Sequence, residues 1–221
     1  MSDAVERHLE VTRTARYWEL GGALKNPAEM WYVIHGYKQL AGRFIRRFAA
    51  INDGTRRILA PEALSRFYIS AEPGRHGPGS FVGATWMTRE DRQNEIRDYV
   101  DYLERLRSER GHSSASVTVL GFSQGVATAA RWVEMGQVRP ARLILWGDTL
   151  PPDWDHARAS KVLANTELIL VRGDSDPALT DALRARELEQ LERAGVAFRI
   201  VRYAGGHDID GATLTEIASG G

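Results

Sequence analysis

The feature that most constrains this chain is a series of short, continuous apolar runs separated by helix-forming stretches. Met30-Trp31-Tyr32-Val33-Ile34, Ser116-Val117-Thr118-Val119-Leu120, Arg142-Leu143-Ile144-Leu145-Trp146 and Glu167-Leu168-Ile169-Leu170-Val171 are rich in aliphatic and β-branched residues. Runs of this kind suit strands covered on both faces, as in a parallel sheet. Between them, residues 40–51 place Leu40, Phe44, Ile45 and Phe48 on one side of a helix. Residues 92–110 do the same with Ile96, Tyr99, Val100, Leu103 and Leu106. Residues 126–135 and 182–194 also read as helices, the second ended by Gly195, and a short helix is expected over 214–218. Residues 197–203 read as a last strand. Residues 65–70 read as another, closed by Glu72-Pro73-Gly74, and residues 11–20 as an exposed or edge strand. Strands alternating with helices at this spacing predict βαβ units. The expected class is α/β, with a mostly parallel central sheet and helices on both faces. The 221 residues, without repeat or linker, suit a single domain over 1–221.

Composition narrows the partners. Lys+Arg equals Asp+Glu at 29 each, so the whole-chain charge gives no argument for nucleic acid or an anionic membrane as a partner. Arg43, Arg46, Arg47, Arg56 and Arg57 cluster locally and read as a solvated helix face. The chain has no cysteine, which excludes disulfides, thiolate metal sites and a Cys nucleophile. The first residues carry acids and no apolar run, and no stretch approaches the roughly 18 apolar residues of a membrane span. A soluble, cytoplasmic protein is expected. No histidine pair has metal-ligand spacing, and no Gly-x-Gly-x-x-Gly follows the first buried strand. Neither a metal nor a cofactor is expected.

Reactive residues of an open parallel sheet gather where strands end at their carboxyl edge. His35-Gly36, Ser123, an Asp pair at 174 and 176, and His207 all sit just after expected strands. In Gly121-Phe122-Ser123-Gln124-Gly125 a serine stands between a Val-rich strand and a helix. A sharp strand-to-helix turn of this type lifts the hydroxyl above the sheet edge, where a base can take its proton. It also puts the Gln124 amide at a helix N-terminus, suited to stabilise an oxyanion. His207, after Gly205-Gly206, is the candidate base. His8, His76, His112 and His156 lie in polar or loop segments and read as exposed and ordinary. A carboxylate from Gly173-Asp174-Ser175-Asp176-Pro177 would orient the imidazole, and either acid fits that role. The chain order Ser, Asp, His is that of the α/β-hydrolase fold. In that fold the loop after the first buried strand gives the second oxyanion donor, here the Tyr37 amide. His35 itself reads as structural.

With these elements placed, the sequence resembles the carboxylesterase/phospholipase family of α/β-hydrolases, which includes the acyl-protein thioesterases. The resemblance spans roughly residues 31–207. It rests on Val33-Ile34-His35-Gly36-Tyr37, Gly121-Phe122-Ser123-Gln124-Gly125, Gly173-Asp174-Ser175-Asp176-Pro177 and Gly206-His207. It implies that the second acid, Asp176, completes the triad, and that carboxylic esters or thioesters are hydrolysed without a cofactor. Two segments depart from the family pattern. Tyr37-Lys38-Gln39-Leu40 stands in place of Leu-Gly-Asp, and Gly83-Ala84-Thr85-Trp86-Met87-Thr88 in place of the Trp-Phe/Tyr-Asp region.

The 20 residues from 147 to 166 are too few for a helical lid domain, so no large lid is expected. Trp86, Met87, Leu150 and Trp154 fall in loops at the catalytic edge and are candidates to line an acyl groove. No basic cluster is tied to the site, so phosphate recognition has no support. The expected partner is a small-molecule or acyl ester. Thioesters and acylated proteins are the alternative for the same triad, and a non-catalytic ligand-binding member of the fold is a further one. An exposed Trp or a flat edge strand is compatible with a homodimer.

Overall fold

Alternation along β2 (Glu29–Ile34) sets the architecture. Met30, Tyr32 and Ile34 enter one hydrophobic core and Trp31 and Val33 enter another, all fully buried. A strand whose odd and even residues are both apolar needs cover on both faces, which is why its sequence shows no polar alternation. The structure, a computed structural model, describes residues 4–69 and 77–220.

Ahead of β2 lies the short strand β1 (Tyr17–Leu20). After β2, α1 (Ala41–Phe44) runs directly into a 3-10 segment over Ile45–Ile51. The chain then forms β3 (Arg56–Pro61), β4 (Ser65–Tyr68), β5 (Val82–Thr85) and the long helix α2 (Arg92–Arg110). It continues through β6 (Ser116–Phe122), α3 (Gln124–Met135), β7 (Arg142–Trp146) and α4 (His156–Val162). Last come β8 (Glu167–Gly173), α5 (Asp181–Ala194), β9 (Phe198–Tyr203) and α6 (Gly211–Ala218). Seven strands form the central sheet in the order β1-β3-β2-β6-β7-β8-β9. All neighbours are parallel except the edge strand β1, which runs antiparallel to β3. This is the α/β-hydrolase fold without a large lid.

Two cores sandwich the sheet. Side chains from α2, α3 and α5 pack with Met30, Tyr32, Val119, Leu143 and Leu168 on one face. α1, the 3-10 segment and α6 cover Trp31, Leu120, Ile144 and Ile169 on the other. Register places Tyr32 beside Val119, and Leu143 beside both Val119 and Leu168, so the first of these faces carries a continuous apolar row. Residues 147–166 carry only the seven-residue α4. Among the described residues no helix is long and apolar enough to cross a membrane.

Several expectations are corrected in detail. Residues 11–20 yield only the four-residue β1, an edge strand. Residues 40–51 are one helical turn followed by a 3-10 run rather than one α-helix. The strand over 65–70 is β4, which joins β5 in a separate two-stranded ribbon and takes no part in the main sheet. Its closing turn, Glu72-Pro73-Gly74, and His76 lie outside the described residues. Arg56 and Arg57 stand on β3, not on a helix face. Arg56 pairs with Glu29 and Asp53, and Arg57 pairs with Glu19, so charge compensation lets both sit half-buried in the sheet. His112 and His156 are half-buried rather than exposed, the Nδ1 of His156 lying 3.0 Å from the Trp154 carbonyl.

Candidate active site

The turn between β6 and α3 puts Ser123 at φ 52° and ψ −125°, a left-handed conformation that costs a non-glycine residue about 1–3 kcal/mol. Packing on both sides holds it there. Ser123 N–H donates to the Trp146 carbonyl of β7 at 2.9 Å, and its own carbonyl accepts from Val126 N–H at 2.8 Å. The flanking glycines are required by close approach. A Cβ on Gly121 would lie 2.3 Å from the Gly125 carbonyl oxygen, and one on Gly125 would lie 2.3 Å from that of Ile34. The elbow is therefore wedged between β2 and α3, with the Ser123 hydroxyl directed out of the sheet edge.

Ser123 Oγ lies 3.0 Å from His207 Nε2, and His207 Nδ1 lies 2.8 Å from Asp176 Oδ2. The three residues form one hydrogen-bonded chain drawn from the ends of β6, β8 and β9. Asp176 is 5% exposed and His207 partly exposed, so the chain runs from the interior towards solvent. The remaining Asp176 oxygen, Oδ1, accepts from Ala178 N–H at 2.9 Å. The loop bearing His207 is pinned from below. Trp146 Nε1–H donates to the Asp208 carbonyl at 2.9 Å, and the Tyr203 hydroxyl lies 2.6 Å from the carbonyls of Gly206 and Asp208. Ser175 N–H donates to the Gly205 carbonyl at 2.9 Å, joining the acid loop to the histidine loop. Asp174, the competing acid, faces solvent and pairs with Arg202 at 2.7 Å.

The loop after β2 closes over the elbow, since a Cβ on Gly36 would stand 3.0 Å from Ser123 Cβ. Its geometry is set by His35, which is fully buried. Ala63 N–H donates to His35 Nε2 at 3.1 Å, so Nδ1 carries the proton and donates to the Gly36 carbonyl at 2.8 Å. That carbonyl shares a trans peptide plane with the Tyr37 N–H, so fixing one aims the other in the opposite direction. Gly36 N–H is held by Gln39 Oε1 at 2.8 Å. Among the described residues, the amides of Tyr37 and Gln124 have no hydrogen-bond acceptor. Burial lowers the His35 pKa to about 4, so the ring is neutral across the physiological range.

The Gln124 side chain grips the segment after β5. Its Oε1 accepts from Trp86 N–H at 3.1 Å, and its Nε2 donates to the Met87 carbonyl and the Thr85 hydroxyl at 2.9 Å each. Trp86 Nε1–H donates in turn to the His35 carbonyl at 2.8 Å. Of the residues expected to line an acyl groove, Trp86, Leu150 and Trp154 are 3%, 4% and 4% exposed and belong to the core. They pack the loops down, because large apolar surfaces gain more from the core than from a solvated rim. Met87 is half-buried, its sulfur 3.0 Å from Arg92 Nη1.

Sequence reasoning missed the polar layer beneath the site. Arg172 and Glu187 form a buried ion pair at 2.6 Å, and Glu187 also accepts from Leu150 N–H at 3.1 Å. Burial raises the Glu187 carboxyl while Arg172 opposes the rise. Asp148, just past β7, is also pushed up by burial, with the Thr149 amide, His207 and Arg172 pulling the other way. No local pattern marks these groups, because they converge from β8, α5 and the loop after β7. Glu6, His8 and Asp91 bring ligand atoms within 4.8 Å of one another, but all three are exposed and stand outside the serine site.

No family model and no curated protein sequence matches the chain. Solved structures do match in fold. They include esterase PE8 (18% identity, TM-score 0.66, covering 95% of this chain and 97% of that one). Acyl-protein thioesterase 2 of Zea mays aligns at 16% identity and TM-score 0.68 over 93% and 97% of the two chains. A carboxylesterase from Mesorhizobium loti aligns at 15% identity and TM-score 0.71 over 93% of each.

Proposed function

We infer that the protein is a serine hydrolase that cleaves carboxylic esters or thioesters through an acyl-enzyme, with Ser123, His207 and Asp176 as its triad. The observation that carries this reading is the unbroken chain from Ser123 Oγ to His207 to Asp176, at 3.0 and 2.8 Å, beside two amides with free N–H groups. His207 Nε2 takes the Ser123 proton as Oγ bonds to the substrate carbonyl carbon. The carbonyl oxygen becomes an oxyanion facing the Tyr37 and Gln124 amides, the backbone donors this chemistry needs. Asp176 accepts from Nδ1–H, which keeps Nε2 free as the base and stabilises the imidazolium. Collapse of the intermediate breaks the carbonyl–oxygen or carbonyl–sulfur bond, and the imidazolium gives its proton to the departing group. Water, activated by the same imidazole, then hydrolyses the acyl-serine and restores the hydroxyl.

Small or short-acyl esters are the favoured class. Residues 147–166, beside the site, carry only the seven-residue α4, and Trp86, Leu150 and Trp154 are committed to the core. The thioesterases and esterases that share the fold accord with either leaving group. A panel of 4-nitrophenyl esters graded by chain length, run beside matched thioesters with Ser123→Ala as the blank, tests this. Turnover falling beyond short acyl chains is expected. Equal turnover in the blank, or none in the wild type, would overturn the reading.

A further inference from the structure

Beside the oxyanion loop lies a cavity of about 240 Å³ walled by Lys38, Gln39, Leu40, Arg43, Phe44 and Arg47. Its three charged lining residues are all cationic. We propose that this cavity binds a negatively charged group, a carboxylate or phosphate, on the substrate cleaved at Ser123. The proposal rests on the reading of Ser123 as nucleophile and goes beyond it by assigning a charge to the substrate.

Position ties the cavity to the reacting centre from two sides. Gln39 lines it and also holds Gly36 N–H at 2.8 Å, and Gly36 abuts Ser123. Arg47 lines it and forms an ion pair with Asp208, the residue after His207. The cavity thus adjoins the segments that flank Ser123 and His207.

Among the described residues this charge is only partly cancelled. Asp208 offsets Arg47, but Arg43 is exposed and has no ion pair among the described residues. Glu62, a carboxylate close to this wall, accepts from the Ala41 amide. It is already shared by Arg16 at 2.6 Å and Arg66 at 3.3 Å, with its side chain fully buried. Lys38 holds a left-handed backbone at φ 65°, fixed by its N–H to the Ala84 carbonyl at 3.0 Å. Its ammonium sits 5.3 Å from the centre of the Tyr37 ring. A cation resting on an exposed aromatic face gives up little when a carboxylate or phosphate arrives, because that contact is weak in water. The cavity is smaller than the roughly 300–1,000 Å³ of a site for a drug-sized ligand, so it suits one charged group and not an acyl chain. Arg43 brings the planar fork that pairs with carboxylate or phosphate oxygens. The arginines read from sequence as a solvated helix face therefore have a second use at residues 43 and 47.

The test has a binding arm and a turnover arm. Glutarate and inorganic phosphate are titrated calorimetrically into the wild type, Ser123→Ala, Arg43→Ala and Arg43→Glu. Saturable binding to the wild type and to Ser123→Ala is expected, weakened about tenfold or more in Arg43→Glu and less in Arg43→Ala, and reduced by salt. In the turnover arm, mono-4-nitrophenyl glutarate is compared with 4-nitrophenyl valerate for charge on the acyl side. Butyryl-coenzyme A is compared with butyryl-N-acetylcysteamine for charge on the leaving group. One pair should show a kcat/KM preference of about tenfold for the charged member, and Arg43→Glu should abolish or invert it. The pair that responds identifies the charged side. Absence of binding, equal binding by wild type and Arg43→Glu, or no charge preference in either pair overturns the proposal. Binding that depends on Arg43 in a protein that hydrolyses neither member of any pair supports the anion cavity and overturns the nucleophile reading instead.

Discussion

The indole N–H of Trp86 donates to the His35 carbonyl at 2.8 Å, while the backbone N–H of the same residue donates to Gln124 Oε1 at 3.1 Å. One residue after β5 is thereby tied to both segments that carry the proposed oxyanion donors. Trp86→Phe keeps an aromatic ring but leaves the buried His35 carbonyl without its donor, at a cost of about 1–3 kcal/mol. The expected result is a fall in kcat of roughly tenfold with KM for a neutral ester nearly unchanged, since the bond acts on transition-state geometry. A lower Tm with kcat intact would show that Trp86 serves packing alone.

The two acids of the Gly173–Pro177 loop should separate cleanly. Asp176 is buried against His207 Nδ1, whereas Asp174 is exposed and pairs with Arg202. Asp176→Asn is expected to lower kcat by about 10³–10⁴-fold, because an amide no longer favours the tautomer in which Nε2 is the base. Asp174→Asn breaks only a surface ion pair of about 0–1 kcal/mol and should leave kcat within roughly twofold. Comparable losses in both variants would remove Asp176 from its role.

Acid should weaken the fold through His35. Its ring is neutral and buried, with a pKa lowered from 6.5 to about 4 by desolvation. The unfolded chain binds this proton more readily, so stability is whole above pH 6.5, declines between 6.5 and 4, and is lost to the full extent of this group below 4. The full difference is on the order of 3 kcal/mol. Urea unfolding at graded pH should show this acid limb in the wild type and a shallower one in His35→Gln. Parallel slopes in the two proteins would refute the assignment.

Beneath the site, Glu187→Gln should leave the Arg172 guanidinium buried without its counter-charge and lower stability by about 3–5 kcal/mol. Replacing both, as Arg172→Met with Glu187→Leu, removes the unpaired charge and should recover much of that loss in a thermal melt. A double variant no more stable than the single one would mean that the pair is needed for the Leu150 amide as well.

The legible parts of the fold were those written in local pattern. β2, β6, β7 and β8 announce themselves as continuous apolar runs because both faces are covered, and α2 as a stripe of Ile96, Tyr99, Val100, Leu103 and Leu106. β3 was hidden by Arg56 and Arg57, whose partners Glu29, Asp53 and Glu19 lie elsewhere in the chain. β5 was hidden by Gly83, which has no side chain to signal a strand. At the site, the residues that follow strands were legible, and the structure brings Ser123, His207 and Asp176 together. The roles of Trp86, Leu150 and Trp154 were not, because a large apolar residue in a loop reads the same whether it faces a groove or the core. Gln39, Glu187 and the Arg43–Arg47 wall become visible only when separate segments converge.

The most direct measurement is the site of covalent modification by a fluorophosphonate. Native protein is treated with the reagent, and the adduct is located by intact mass and peptide mapping. The expected result is one adduct per chain on Ser123, absent in Ser123→Ala and formed about 10³-fold more slowly in His207→Ala, where the base is gone. No adduct on native protein, or an adduct that persists in Ser123→Ala, would contradict the reading of Ser123 as an activated nucleophile.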